Sequence, residues 1–136
     1  EAQIVKSNEV RLKMLRWLNP DFTDEEKRYF LDVFVPCKIE SKEDITKLKR
    51  FAQLLISRNT RGNYTNEALR QKFKFHIAYG ALEYVEHTYF PHRYSPIAFI
   101  RLIISGLYST LPAKNRRKIL VKCLLFYQSQ SDCKRL

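Results

Sequence analysis

The sequence predicts an all-α fold, a compact bundle of five or six helices with mostly antiparallel neighbours. Three observations carry that expectation. Apolar residues recur at helical spacing and not in alternation. Hydroxyl caps and prolines fall between the periodic stretches. Only 3 Gly and 5 Pro occur in 136 residues, too few to supply the turns of a many-stranded sheet. A chain of this length makes one ordinary domain, 1–136, able to bury about two thirds of its unfolded surface. Its 45% hydrophobic and 29% charged residues fit a globular chain and not a disordered one.

The first helix is expected over Gln3–Leu18, with Ile4, Val10, Leu12, Met14, Leu15 and Leu18 on its apolar side. Asn19-Pro20 breaks it. Thr23 and Glu26 have capping-box spacing and open a second helix, Asp24–Val35, closed by Pro36. Its apolar side is Tyr29, Phe30, Val33 and Phe34. Ser41 and Asp44 form a weaker box before a third helix, Lys42–Ser57. There Ile45, Leu48, Ala52, Leu55 and Ile56 make the stripe, while Lys42, Lys47, Lys49 and Arg50 lie off it. Arg58–Asn63 reads as a polar, basic loop. Thr65 caps a fourth helix, Asn66–Thr88, which Phe90-Pro91 closes. Ser95-Pro96 starts a fifth, Pro96–Ser109, with a cap residue before a proline at the first helical position. That helix is apolar nearly all round, with Arg101 its only charge, so it is expected at the buried centre of the bundle. Leu111-Pro112 separates it from a sixth helix, Ala113–Gln128, and the tail 129–136 is expected to fray.

The three cysteines, Cys37, Cys123 and Cys133, are odd in number and show no C-x-x-C pair. A reducing, cytoplasmic setting fits them. The apolar run Ile97–Tyr108 is too short and too polar to span a bilayer, so no membrane partner is expected. Glu1–Arg11 is polar and does not resemble a signal peptide. The chain begins with Glu1 and not Met, which fits a fragment or a trimmed product.

Charge is the strongest functional signal. The chain holds 25 Lys+Arg against 14 Asp+Glu, a net +11. Residues 1–40 are near neutral, with 7 basic and 8 acidic side chains; residues 41–136 have 18 and 6. A near-neutral helical pair thus precedes a basic helical core. Residues 88–136 hold nine basic residues and one acid, Asp132. Lys114, Arg116, Arg117 and Lys118 fall in the first turns of the last helix, where cations oppose the positive end of the helix dipole. Residues kept against local preference point to a partner, and a phosphate backbone is attracted by side chains and helix terminus together. Arg58 and Arg61 flank a second candidate site, and Lys122 extends the first. Arg70, Lys72 and Lys74 offer a third cluster. A merely solvated basic surface, or an acidic protein partner served by a helical adaptor, would draw on the same charges. Among the aromatics, Phe73, Tyr84, Phe99 and Phe126 read as packing. Tyr64, Tyr89 and Tyr94 stay open between packing and base stacking.

Catalytic constellations are sparse. His76 and His87 are three helical turns, about 16 Å, apart, too far to share a metal. His92 lies beyond Pro91, and no Cys or carboxylate stands at ligand spacing, so neither a metal nor another cofactor is expected. No Gly-rich phosphate loop occurs. Cys123 sits in an apolar run, where a thiol is inert. Arg70–His76 resembles the Arg-x(4–6)-His signature of the helical HEPN ribonucleases. That resemblance would give Arg70 and His76 roles in phosphate stabilisation and 2′-hydroxyl activation without metal. With 12 Arg and 3 His, about one such match arises by chance.

The basic loop Arg58–Asn63, the helix end Tyr84–Arg93 and the late basic helix running into Leu124-Leu125-Phe126-Tyr127 together resemble the small helical subunits of CRISPR effector (Cascade-type) complexes. The likeness is architectural and covers residues 41–136. It implies an antiviral-defence role as a non-catalytic ribonucleoprotein subunit lying along a guide–target duplex or a displaced strand. Several copies would stack side by side, with Trp17 and Phe22 turned outward to touch neighbouring subunits. The leading expectation is therefore a nucleic-acid-binding subunit, for RNA or DNA, that grips phosphates without reading sequence. Its binding residues would be Arg58, Arg61, Lys114, Arg116, Arg117, Lys118 and Lys122.

Overall fold

In the computed structural model the backbone is described over residues 2–133 and the side chains over 4–125. The chain is all-α, and no strand occurs among the described residues. Six α-helices follow one another: α1 (Ala2–Leu18), α2 (Asp24–Tyr29), α3 (Lys42–Ser57), α4 (Asn66–Tyr89), α5 (Pro96–Ile104) and α6 (Ala113–Cys133). A π-helical turn, Phe30–Phe34, continues α2, and a 3-10 turn, Tyr108–Thr110, precedes α6. The chain forms two compact units: residues 1–38 with 44–77, and residues 39–43 with 78–136. One division between the units falls within α4, between Ile77 and Ala78.

Three of the predicted caps form, at Thr23, Thr65 and Ser95. The Thr23 hydroxyl accepts from the Glu26 N–H at 3.2 Å, and the Glu26 carboxylate accepts from the Thr23 N–H at 2.9 Å, closing the capping box. Thr65 accepts from the Ala68 N–H and Ser95 from the Ala98 N–H, each at 3.2 Å.

The first unit departs from expectation at the end of α2. The sequence predicts an uninterrupted α-helix to Val35. Instead the backbone widens at Phe30, whose carbonyl accepts from the Val35 N–H at 2.9 Å, five residues on. An aromatic cluster occupies this region. The Phe34 ring stacks on Phe30, tilts against Phe51 and His76, and meets Phe73 edge-on at 5.3 Å. Pro36 does not itself make the stop. Cys37 adopts a left-handed conformation, φ 51°, with its N–H on the Phe34 carbonyl and the Lys38 N–H on the Val33 carbonyl. That pair of bonds is a Schellman closure, here with cysteine where glycine is usual.

Along α3 the predicted stripe holds: Ile45, Leu48, Ala52 and Leu55 are buried, joined by Phe51, with Ile56 half-buried. Among the described side chains of α1 only Leu15 and Leu18 are buried, while Ile4, Val10 and Met14 are exposed, contrary to expectation. Trp17 is exposed as expected, but Phe22 is 4% exposed and lies under the Arg58 guanidinium, 5.3 Å from the ring centre. Phe22 is thus interior and takes no part in an outward face.

In the second unit α5 ends five residues early. Gly106 takes a left-handed conformation, φ 73°, and its N–H closes on the Ile103 carbonyl at 3.0 Å. A side chain there would be strained by that backbone and would press on Lys42 at 3.2 Å. Leu107 and Leu111 beyond the turn are buried. The expectation that α5 is a buried central helix is overturned: Leu102 is its buried residue, and Ile97, Ile100, Ile103 and Ile104 are exposed. The last helix runs five residues past Gln128, to Cys133, where fraying was expected. Residues 134–136, and the Phe126 side chain, lie outside the described residues.

Leu48→Ala is expected to lose about 2–5 kcal/mol of stability through the cavity it leaves. Ile100→Ala, at an exposed position, should shift it by about 0.5 kcal/mol or less. Urea unfolding followed by circular dichroism compares the two directly.

Candidate nucleic-acid interface

The seven cations proposed from sequence divide between the two units. Arg58 and Arg61 belong to the first, and Lys114, Arg116, Arg117, Lys118 and Lys122 to the second. Arg58 is half-buried and donates to Glu26 Oε2 at 2.7 Å while covering Phe22. Partial burial would raise the Glu26 pKa, but the Thr23 N–H and the Arg58 guanidinium outweigh it and hold the carboxyl below its ordinary value. Arg58 is therefore a tertiary clamp joining the start of α2 to the end of α3. Arg61 is exposed beside Gly62, which has φ 69°. The neighbouring loop is pinned by amides: Asn59 donates to the Tyr64 carbonyl at 2.7 Å, and Asn63 to the Trp17 carbonyl at 2.9 Å.

Along α6, at 100° per residue, Ile119 and Cys123 point inward with Arg116 beside them. Ile119 and Cys123 are buried and Arg116 half-buried; burial pushes the Cys123 thiol pKa up. Lys114, Arg117 and Lys118 share the opposite, exposed face, which continues as Val121, Leu124 and Leu125. Lys122 lies at the boundary. Its ammonium donates to the Tyr94 hydroxyl at 3.0 Å and sits 4.4 Å from that ring centre, and Tyr94 donates to Glu86 at 3.0 Å. Tyr94 also stacks on Phe90 at 4.7 Å. Lys122 is thus drawn into an internal chain, and Tyr94 packs within the fold. Phe73, Tyr84 and Phe99 pack as expected. Tyr84 donates to the Glu40 carbonyl at 2.6 Å, and Phe99 meets Tyr108 edge-on.

Arg70 and His76 are not brought to one site. Both lie on α4, about 120° apart around its axis. Arg70 is exposed and pairs with Glu67 at 2.6 Å. The Glu67 carboxyl is held below its ordinary value by the Gln71 amide and by Arg70. His76 places Nε2 2.7 Å from the Phe34 carbonyl and its ring against Phe34, so it completes the aromatic cluster. Among the described residues no group of three or more His, Cys, Asp or Glu is placed to hold a metal ion. None of the described helices is long and apolar enough to cross a membrane. Cys37 and Cys123 are free thiols.

The site that emerges is the exposed cationic face at the start of α6, reduced from the predicted set to Lys114, Arg117 and Lys118, with Arg61 as a separate exposed cation. Helical phase alone separates these from Arg116. No local signal foretold the Arg58–Glu26 clamp, which joins residues 32 apart. No protein-family model, curated protein or solved structure matches this chain.

Arg58→Gln is expected to cost about 1 kcal/mol, in keeping with a partly exposed ion pair. Because the Glu26 pKa is lowered in the fold, its contribution is present above the ordinary carboxylate value of 4.5 and is lost as pH falls through the folded-state value. Urea midpoints of wild type and Arg58→Gln should therefore differ at pH 7 and converge on acidification below 4.5.

Proposed function

We propose that this protein binds nucleic acid through the phosphate backbone, without catalysis, using the first turns of α6. The observation that carries the reading is the exposed trio Lys114, Arg117 and Lys118, which faces no carboxylate among the described residues. The nearest acids along the chain are Glu86 and Asp132. The trio repels itself and opposes the helix dipole, so it weakens the free protein, and a polyanion would relieve both costs. Lys114 and Lys118 lie one turn apart on one side, with Arg117 beside them. That spacing of about 6 Å suits successive phosphates, and nothing in it selects a base. Arg61 offers a further cation from the first unit. The resemblance to small subunits of CRISPR effector complexes would specify a guide–target duplex or a displaced strand as the polyanion.

The reading favours backbone grip over cleavage because Arg70 and His76, the residues of the ribonuclease alternative, are each engaged elsewhere. It is tested by fluorescence anisotropy with labelled single-stranded RNA and duplex DNA, each in two unrelated sequences, at two salt concentrations. The Lys114→Ala/Arg117→Ala/Lys118→Ala variant should bind every sequence more weakly and to a similar degree. Its log–log salt slope should fall by about 2 to 3, at roughly 0.7–0.9 for each phosphate no longer neutralised. Unchanged binding by the triple variant would exclude this face.

A further inference from the structure

The last turns of α1, the connection after them and α2 enclose a cavity of about 210 Å³ within the first unit. Leu12, Leu15, Arg16 and Asn19 stand at i, i+3, i+4 and i+7, so one side of α1 forms its wall. Pro20 and Phe22 from the connection and Lys27 from α2 complete it. The apolar part is held in place. Leu15 and Phe22 are 2% and 4% exposed, and the Arg58 guanidinium covers Phe22. Asn19 fixes the turn, for its Oδ1 accepts from the Asp21 N–H at 2.8 Å and its amide donates to Thr60 at 3.3 Å. The charged groups of the wall are both cations. Arg16 is exposed and ion-paired with no carboxylate among the described residues. Lys27 reaches Asp24 at 3.3 Å, but Asp24 is almost fully exposed, and so weak a tie leaves the ammonium's other donors to a second anion. No carboxylate lines the cavity.

We infer that this cavity binds a small apolar carboxylic acid, an aryl or branched-alkyl monoacid. Its apolar body would lie on Leu12, Leu15 and Phe22, and its carboxylate on Arg16 and Lys27. Size, polarity and charge each narrow the occupant. An apolar cavity of about 150 Å³ holds one benzene ring. The space here, about 210 Å³, therefore admits a ring with a short arm. Pockets for drug-sized ligands and cofactors begin at about 300 Å³, which sets aside a nucleotide. Inorganic phosphate would leave the apolar wall unused. A neutral hydrocarbon would leave the two cations unused, and an amine would be repelled by them. A carboxylate suits both, since a guanidinium can grip it through two parallel N–H bonds and an ammonium can add a third.

The inference stands apart from the phosphate reading, because none of its residues lies on α6. The test is a nuclear magnetic resonance titration of the full chain with 3-phenylpropionate and with 3-phenylpropanol, its uncharged counterpart. The acid should saturate one site, move the Leu12 and Leu15 methyl signals and the Phe22 ring signals, and bind at least tenfold tighter than the alcohol. Arg16→Gln should bring the acid down to the alcohol's affinity, and Arg16→Lys should retain part of the difference. Leu12→Trp, which fills the cavity from a half-buried position, should abolish binding of both. Circular dichroism checks that each variant is folded. Should Leu12→Trp fail to fold, the comparison of acid and alcohol on wild type and Arg16→Gln decides alone. Four results would overturn the proposal. The first is an acid that does not saturate below about 10 mM. The second is an acid and an alcohol that bind alike, or an Arg16→Gln variant that binds the acid as wild type does. The third is a set of shifts confined to the cationic face of α6. The fourth is a peptide with a C-terminal phenylalanine carboxylate that binds tenfold tighter than the free acid, which would assign the cavity to a protein terminus.

Discussion

The second unit of this chain depends on where α5 stops. Gly106 adopts a backbone conformation that a side chain would strain, and its N–H closes the helix on Ile103. Had the helix run on to Ser109, Leu107 would have stayed on its axis. The turn instead carries Leu107 and Leu111 inward and starts α6 afresh at Ala113. With Ile119 and Cys123 drawn into the interior, helical periodicity commits Lys114, Arg117 and Lys118 to the outside. Within α5 itself Leu102 is buried and the isoleucines are exposed. Gly106 thus separates the helix with the exposed isoleucines from the helix with the exposed cations.

The fold also sorts its charges by environment. Two half-buried cations are given an acceptor: Glu26 for Arg58, and Tyr94, itself bonded to Glu86, for Lys122. Partial desolvation makes an unpaired charge costly there. Where cations stand in water that cost vanishes, and Lys114, Arg117 and Lys118 pair with no carboxylate among the described residues. The distinction separates cations that hold the fold from cations presented by it. By the same criterion His76 is structural, since its ring fills the aromatic cluster and its nitrogen meets the Phe34 carbonyl at the widened turn.

Most helix starts were legible because capping is local chemistry. Thr23, Thr65 and Ser95 each accept from an N–H three residues on, within reach of any sequence reading. The α3 stripe was equally legible, for its periodicity matches one buried face. Helix ends were less so. The π-helical turn at Phe30–Phe34 and the left-handed Cys37 coincide with aromatic packing against Phe51, Phe73 and His76, which lie far along the chain. The stop at Gly106 had a local sign in the glycine itself, overshadowed by the apolar run around it.

The sequence by itself determined the all-α class, the caps, the α3 core stripe and the concentration of positive charge after residue 40. These follow from hydrogen bonding and periodicity over a few residues, and from composition. Only the tertiary structure decided which apolar and charged side chains face inward. Phe22 and Phe34 were taken into the interior while Ile4, Ile97 and Ile104 were not, and Arg58 was paired while Lys114 was not. Hydrophobicity states what a residue gains from burial. Whether it is buried depends on which other segments arrive to cover it, and that is a property of the whole chain.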